Sequence, residues 1–138
     1  MVTIGVLARR AGVGTGTLRY YETLGLIKPA GRSGGGYRIY HEGELRRLRF
    51  IRRAQELGFS LEEVATLLAL SETGGARAAD VRRLTREKLL DIDRRIRDLE
   101  RMKAGLERLT GRCNGEGPAS ECPILAALNA DDRDEDAP

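Results

Sequence analysis

The sequence predicts a mainly α-helical protein in which a winged helix-turn-helix domain is followed by a long coiled-coil helix, a loop and a short last helix. Three observations predict this class. Apolar residues recur at three- and four-residue steps through most of the 138 residues, as on the buried face of a helix. Residues 31–40 combine glycines with alternating aromatic and basic residues, which is typical of a hairpin. Residues 78–112 contain no proline and one interior glycine, Gly105, so one long helix fits there.

The front of the chain predicts the helix-turn-helix and its wing. Thr3 is placed to cap a first helix that runs to about Arg10, and Gly12 supplies the turn. A second helix is predicted over residues 15–22. The glycines and alternating side chains of residues 31–40 then predict a hairpin tip and a short strand, which together form the wing.

Two further helices complete this domain. A strongly basic helix is predicted over residues 42–57, with its apolar side chains on one face. Ser60 and Glu63 form a capping-box pattern at the start of the next, shorter helix. A pair of adjacent glycines then marks the end of the domain, which we predict to span residues 1–75.

Residues 76–112 are predicted to be a dimerisation helix. An apolar stripe this long needs a covering surface, and a parallel or antiparallel pairing with a second copy supplies one, giving a homodimer. A helix folded back on its own domain is the alternative, which the short linker disfavours. The stripe consists of Val81, Leu84, Leu89, Ile92, Ile96, Leu99, Met102, Leu106 and Leu109.

Charge is unevenly distributed along the chain. Residues 1–60 hold eleven lysines and arginines against four acidic residues, and residues 61–138 hold thirteen against seventeen, so a net charge of +7 is followed by one of −4. A basic front end suits an anionic polymer as partner. Aromatic residues make up only 4% of the chain, which favours an elongated protein that shares its core with a partner. Residues 129–138 are predicted to form a disordered acidic tail.

Seven residues are the candidate DNA contacts. The second helix offers hydroxyls, an arginine and a tyrosine, which suit the major groove. The wing offers two arginines and a tyrosine, which suit the flanking phosphates. The candidates are Thr15, Thr17, Arg19 and Tyr20 on the helix, and Arg32, Tyr37 and Arg38 on the wing.

No segment predicts a membrane or secreted protein. The chain lacks a run of about 18 apolar residues, and its first residues, MVTIG, lack the basic and then apolar pattern of a secretory signal. We therefore expect a cytoplasmic protein with no membrane partner. Its two cysteines, Cys113 and Cys122, are then expected to be reduced unless they bind a metal or sense oxidation.

Four segments in the first 40 residues resemble the N-terminal signature of the MerR family of transcription regulators. The resemblance is carried by IGVLARRAGV at residues 4–13, LRYYE at 18–22, GLI at 25–27 and GYRIY at 36–40, and it extends through residue 128. It implies an activator, not an enzyme: a homodimer with an antiparallel helix pair, bound to double-stranded promoter DNA. Effector binding would bend and untwist the promoter spacer for RNA polymerase at the same promoter. The resemblance also matches Thr17, Arg19 and Tyr20 to the recognition helix, and Arg32, Tyr37 and Arg38 to the wing.

Cys113 and Cys122 bracket an eight-residue loop that precedes a short helix, and residues 113–128 are the candidate metal-binding segment. Thiolates select soft ions, and two of them suffice for Cu(I), Ag(I), Au(I) or Hg(II), whereas zinc sites generally use four ligands. The single histidine, His41, lies beside the wing. Buried structural cysteines and a redox-sensing disulfide remain alternatives. The absence of a Cys-x-x-Cys or Cys–His pattern disfavours a thiol oxidoreductase.

The cysteine loop resembles the metal-binding loop of the heavy-metal branch of MerR regulators, in which both loop cysteines are ligands. In that branch, sensors of divalent ions carry a third cysteine at the position of Ala78, and copper-efflux regulators carry a serine there. The missing third sulfur therefore implies Cu(I), with Ag(I) or Au(I) as mimics. Arg82 matches a position that is basic in copper-sensing relatives and is expected to neutralise the site. A loop of eight residues is more typical of mercury or zinc regulators, so Hg(II) is the alternative.

Overall fold

The computed structural model describes residues 1–130, so the predicted acidic tail lies outside the described residues from residue 131 onward. The chain divides into two compact units, the first spanning Met1–Lys88 and the second beginning at Leu89. The elements are β1 Val2–Thr3, α1 Ile4–Ala11, α2 Thr15–Thr23, β2 Gly31–Arg32, β3 Arg38–Tyr40, α3 Gly43–Glu56, α4 Leu61–Glu72, α5 Ala78–Gly111, a 3₁₀ turn Ala119–Glu121 and α6 Pro123–Leu128.

The helix-turn-helix forms as the capping residues predict. The Thr3 side chain accepts a hydrogen bond from the Val6 N–H, at 3.4 Å, which satisfies one of the free donors at the start of α1. Gly12 ends α1 in the left-handed region, with φ of 71°, a conformation that glycine adopts without steric cost. The chain can therefore turn within three residues and begin α2 at Thr15.

The wing is part of a small antiparallel sheet with strand order β1-β3-β2. Gly31 pairs with Ile39 on one side of β3, and Val2 pairs with Tyr40 on the other. The hairpin is the predicted one. Strand β1 escapes prediction because two residues carry no alternation that a sequence pattern can detect.

The core of the first unit is formed by side chains from nearly every element of that unit. Its largest fully buried side chains are Leu7, Leu18, Ile27, Tyr40, Ile51 and Val64. They come from α1, α2, the segment before the wing, β3, α3 and α4, so this core fixes the wing and α2 on a common base. The fold class is confirmed in this unit: a winged helix-turn-helix, with a long helix following it.

The beginning of α5 packs on the domain that precedes it, which corrects part of the predicted dimer stripe. Leu84 is partly buried against the core. Lys88 is 7% exposed and its Nζ lies 2.8 Å from Glu63 Oε1. Glu63 also closes the predicted capping box with Ser60 at the start of α4. The first turns of α5 therefore belong to the first unit, beyond the predicted boundary at residue 75.

The second unit consists of the remainder of α5, the cysteine loop and α6. None of its described residues is buried. The apolar side chains that face solvent along α5 include Leu89, Leu90, Ile96, Leu99, Met102 and Leu106. Within residues 1–130, no helix combines the length and apolar character that crossing a membrane requires.

Candidate nucleic-acid interface and thiol site

The second helix presents all four of its predicted DNA contacts to solvent. Leu18 and Tyr21 turn into the core, and the Tyr21 hydroxyl donates to Gln55 Oε1 of α3 at 3.0 Å. Because Leu18 and Tyr21 point inward, most other side chains of α2 face solvent, and Tyr20 is 55% exposed. The outward residues include Thr15, Thr17, Arg19 and Tyr20, as predicted. A helix with this polar, exposed face suits a DNA groove.

The wing hairpin is held by its own side chains. The Ser33 N–H donates to the Tyr37 carbonyl at 2.7 Å, and the Ser33 hydroxyl accepts from the Tyr37 N–H at 3.2 Å. Gly36 turns the chain with a φ of 84°. Arg32 Nη1 donates to the Gly36 carbonyl at 3.2 Å. The tight turn leaves Tyr37 at the tip, 72% exposed.

A concave surface between α2 and the wing brings four of the seven predicted contacts together. Its volume is ≈ 320 Å³. The predicted contacts that line it are Arg19, Arg32, Tyr37 and Arg38, together with Thr3, Ile4 and Gly36. The arginines around this concavity offer positive charge to a phosphate backbone, and an ion pair with Glu22 compensates part of the charge of Arg38. Thr15, Thr17 and Tyr20 lie outside this lining, on the exposed face of α2.

Glu22 joins the wing to α2, a role that the sequence did not reveal. Its Oε2 accepts from Arg38 Nη1 at 3.1 Å and from the Tyr40 hydroxyl at 3.0 Å. Burial raises the pKa of the Tyr40 phenol, and the hydrogen bond to Glu22 and its negative charge add to that effect. The sequence contained one signal for this role, an acidic residue near the end of a helix that is predicted to contact DNA.

Part of the basic surface of α3 serves the fold. Arg52 Nη1 donates to the Ala11 carbonyl at the end of α1, at 3.0 Å. A β-carbon at Gly12 would lie 2.8 Å from this Arg52 Nη1, so a larger residue would displace the end of the arginine side chain. Arg47 Nε donates to the Leu26 carbonyl at 2.9 Å. These two arginines therefore fasten the end of α1 and the segment after α2 to α3.

The cysteine loop brings the two thiols together. Cys113 Sγ and Cys122 Sγ lie 3.8 Å apart, and both residues are partly exposed free cysteines. The Gly115 N–H donates to Cys113 Sγ at 3.4 Å. Gly115 and Gly117 have φ values of 79° and 85°, which allow the loop to reverse tightly. The loop therefore places the two thiols next to each other, as predicted.

Cys122 stands immediately before α6, and this position activates its thiol. The backbone N–H groups of Leu125 and Ile124 lower the pKa of Cys122, burial opposes this effect, and the Cys113 side chain lowers the pKa further. Pro123 at the first helical position donates no N–H and suits the start of a helix. A thiol with a lowered pKa supplies the thiolate that a soft metal binds.

The described part of the chain offers the thiols few additional strong ligands. Within residues 1–130, no group of three or more His, Cys, Asp and Glu side chains is placed to hold a metal. Ala78 and Arg82 are exposed residues at the start of α5, in the first unit. Their predicted positions beside the metal stay predictions.

The sequence matches two descriptions of one family. The MerR HTH family regulatory protein pattern matches residues 2–71, and the pattern described as MerR, DNA binding matches residues 45–109. The first match contains α1, α2 and the wing, and the second contains α3, α4 and most of α5.

Curated relatives and solved structures agree with this match. The HTH-type transcriptional regulator HmrR of Rhizobium leguminosarum bv. viciae is 44% identical over 128 residues, which cover 93% of this chain and 98% of the relative. The mercuric resistance operon regulatory protein of Bacillus cereus is 43% identical over 125 residues, with coverage of 91% and 95%. The structure of the transcription regulator PbrR691 from Ralstonia metallidurans CH34 in complex with lead(II) superposes with a TM-score of 0.82, at 31% identity and coverage of 93% and 99%.

Proposed function

The chain belongs to the MerR family of helix-turn-helix regulatory proteins, and on this premise we propose that it is a homodimeric transcription activator that responds to Cu(I) bound by Cys113 and Cys122. The prediction of a transcription regulator and not an enzyme is confirmed by the family. The observation that carries the metal proposal is the pair of free thiols 3.8 Å apart, one with a lowered pKa.

The proposed DNA partner is a double-stranded promoter, with RNA polymerase bound at the same promoter. The exposed face of α2 would enter the major groove, and the wing would follow the adjacent phosphates. The concave surface with Arg19, Arg32 and Arg38 supports this arrangement because it lies between those two elements. Action at a promoter places the protein in the cytoplasm, where its thiols are kept reduced.

The proposed homodimer would cover the exposed stripe of the second unit with an antiparallel copy of α5. Leu99, Met102 and Leu106 are each more than 60% exposed. An apolar groove of ≈ 590 Å³ lies beside them, lined by Met102, Gly105, Leu106, Leu109 and Leu128 among others. An apolar surface of this extent on one helix indicates an interaction site.

The thiol pair fits a soft metal ion. The sulfurs are well beyond the roughly 2.05 Å of a disulfide bond, and at 3.8 Å both can reach one ion through bonds of about 2.3 Å. Two thiolates without a third cysteine favour an ion that accepts few ligands, so Cu(I) is proposed, with Ag(I) and Au(I) as mimics. When bound, the ion would cross-link the two ends of the loop. Cys113 and Cys122 would hold it.

Hg(II) or another divalent ion is the second candidate. The relative from Bacillus cereus is named for mercuric resistance, and PbrR691 was solved with lead(II). The eight residues between Cys113 and Cys122 also favour this alternative. A redox-sensing regulator remains a third possibility because the thiols are free and adjacent.

The test is transcription in vitro from the regulated promoter, with reduced protein titrated separately with Cu(I), Ag(I), Hg(II), Pb(II) and Zn(II). We expect activation at the lowest concentration with Cu(I). Activation by Hg(II) or Pb(II) without Cu(I) would replace Cu(I) by a divalent effector. Activation by peroxide in the absence of metal would replace the metal by oxidation.

A further inference from the structure

The ion pair between Glu22 on α2 and Arg38 on the wing has a consequence for how DNA sequence is distinguished. We propose that Glu22 is a specificity-determining residue: it compensates part of the charge of Arg38 and fixes the wing on α2, so that the wing contacts phosphates from one position and gains less from DNA that does not match this position. This inference rests on the proposed binding of promoter DNA.

One oxygen atom, Glu22 Oε2, connects α2 with the wing, the two elements that are proposed to contact DNA. Arg38 and Tyr40 lie two residues apart on β3, so their side chains leave the strand on the same side. Both donate to Glu22 Oε2, at 3.1 and 3.0 Å. The Glu22 side chain is 15% exposed, and Tyr40 is fully buried. The wing strand is therefore fastened to the end of α2 at a largely enclosed point.

The position of Glu22 is unfavourable for the helix itself. Glu22 lies in the last turn of α2, which ends at Thr23. A negative charge near the C-terminus of a helix is repelled by the helix dipole, and a negative charge close to DNA is repelled by phosphates. The local rules therefore disfavour an acid here, and the contacts with Arg38 and Tyr40 offset that cost. This conflict between local preference and observed placement is typical of a functional residue.

The ion pair with Glu22 reduces the positive charge that Arg38 presents to DNA. Arg32 donates to a neutral carbonyl, and no carboxylate within residues 1–130 forms an ion pair with it. Arg38 instead contacts a carboxylate, and its side chain remains 47% exposed. A phosphate that approaches Arg38 also meets the charge of Glu22, so the counterion release expected for an arginine–phosphate contact is reduced. The attraction that does not depend on sequence is weakened while the wing stays in position.

The experiment measures the salt dependence of DNA binding by the reduced, metal-free full chain. An operator duplex is first selected from random-sequence duplexes, and binding to it and to a scrambled duplex is followed by fluorescence anisotropy over a series of KCl concentrations. Glu22→Gln keeps an oxygen that accepts from Tyr40 but removes the charge. We expect it to steepen the slope of log K against log[KCl] by about 1, as for one additional phosphate contact. The preference for the operator should fall about fivefold, because a wing released from Glu22 can follow the phosphates of the scrambled duplex, which the fixed wing does not match.

The matched control is Glu56→Gln, which removes the same charge from an exposed pair with Arg52, 3.6 Å away, on α3. A change of slope in Glu22→Gln that does not exceed that of Glu56→Gln would overturn the proposal. A second variant, Arg38→Met, tests it from the other side. Because Glu22 already compensates Arg38, the slope should fall by less than about 0.5, and a fall of about 1 would overturn the proposal.

The outcomes separate this inference from the proposed function. If the unaltered protein selects no sequence from random duplexes, the proposed promoter binding fails. If it selects an operator but Glu22→Gln retains the original slope and preference, only the role of Glu22 fails. Thermal unfolding of each variant, followed by circular dichroism, shows whether an altered slope belongs to folded protein.

Discussion

The two units of this chain bury apolar surface in opposite ways. The first unit, Met1–Lys88, encloses 14 hydrophobic residues in one core. The second unit has no buried residue among those described and exposes a row of leucines along α5. Folding of the first unit is therefore self-sufficient, whereas the second needs another surface to cover its stripe. The difference teaches that the proposed DNA binding and the proposed assembly depend on different residues, and substitutions can separate them.

The largest effect is expected from a substitution in the cysteine loop, which should remove the response to metal and leave DNA binding by the first unit unchanged. Cys122→Ser should abolish metal-induced transcription because one thiolate cannot replace the pair. Operator binding by the metal-free protein should stay within about twofold, a difference well under 1 kcal/mol. In vitro transcription and anisotropy measure the two properties. The matched variant Cys113→Ser should behave alike, and loss of operator binding in either would contradict the separation of the units.

The next effect concerns assembly. Leu99→Asp places a charge on the exposed stripe of each copy, and desolvating that charge in a dimer should raise the dimer dissociation constant about 1000-fold. Sedimentation equilibrium measures it. Arg94→Asp, on the charged side of the same helix, should change it little. If Leu99→Asp associates as strongly as the unaltered chain, the stripe is not the dimer surface.

A core substitution should affect the first unit alone. Ile51 on α3 is fully buried, and Ile51→Ala should lower the free energy of unfolding by about 3 kcal/mol through lost burial and the cavity that remains. Leu106→Ala, on the 63% exposed position of α5, should leave the unfolding of the first unit unchanged. Urea unfolding monitored by circular dichroism compares the two. Equal losses would show that the units unfold together.

The smallest effect depends on pH and lies at the end of the first unit. Lys88 and the Ser60 backbone N–H lower the pKa of Glu63 from 4.5 to about 2. A lowered pKa in the folded state stabilises above the unfolded value, and this contribution is lost as pH falls from about 4.5 toward 2. Glu63→Gln should therefore cost about 1 kcal/mol at neutral pH, since the 40% exposed carboxylate is screened by solvent.

Urea unfolding at successive pH values measures this difference, which should shrink as the solution becomes more acidic. The control is Glu87→Gln, an exposed member of a 3.9 Å pair with Arg83 on α5. A difference between Glu63→Gln and the unaltered chain that stays constant down to about pH 3 would exclude the ion pair as its source.

The sequence predicted what depends on neighbouring residues. Thr3 as a cap, Gly12 as a turn and Ser60 with Glu63 as a capping box are confirmed, because each device operates within three or four residues. The hairpin is confirmed for the same reason. In the cysteine loop, the eight-residue spacing and its glycines sufficed to predict that the two thiols meet.

Contacts between distant segments escaped prediction. Glu22 meets Arg38 and Tyr40 across 16 and 18 residues, and Arg52 reaches Ala11 across 41. No sequence period reports such pairs, since they depend on how whole helices pack. Leu84 shows the converse: its spacing assigns it to the dimer stripe, whereas it packs against the core of the first unit. Periodicity identifies an apolar face without identifying what covers it.

Among the described residues, the last apolar side chain that packs against the core of the first unit is Leu84, and this position matters while the chain is being synthesised. Domains fold as units, N-terminal first, as residues leave the ribosome. The unit with α1 to α4 and the wing therefore has everything it buries before the cysteine loop leaves the ribosome. The stripe of α5 emerges later and would stay in contact with solvent until the second chain of the proposed homodimer covers it. Biogenesis should therefore proceed as a rapid, concentration-independent folding step followed by a slower encounter between chains.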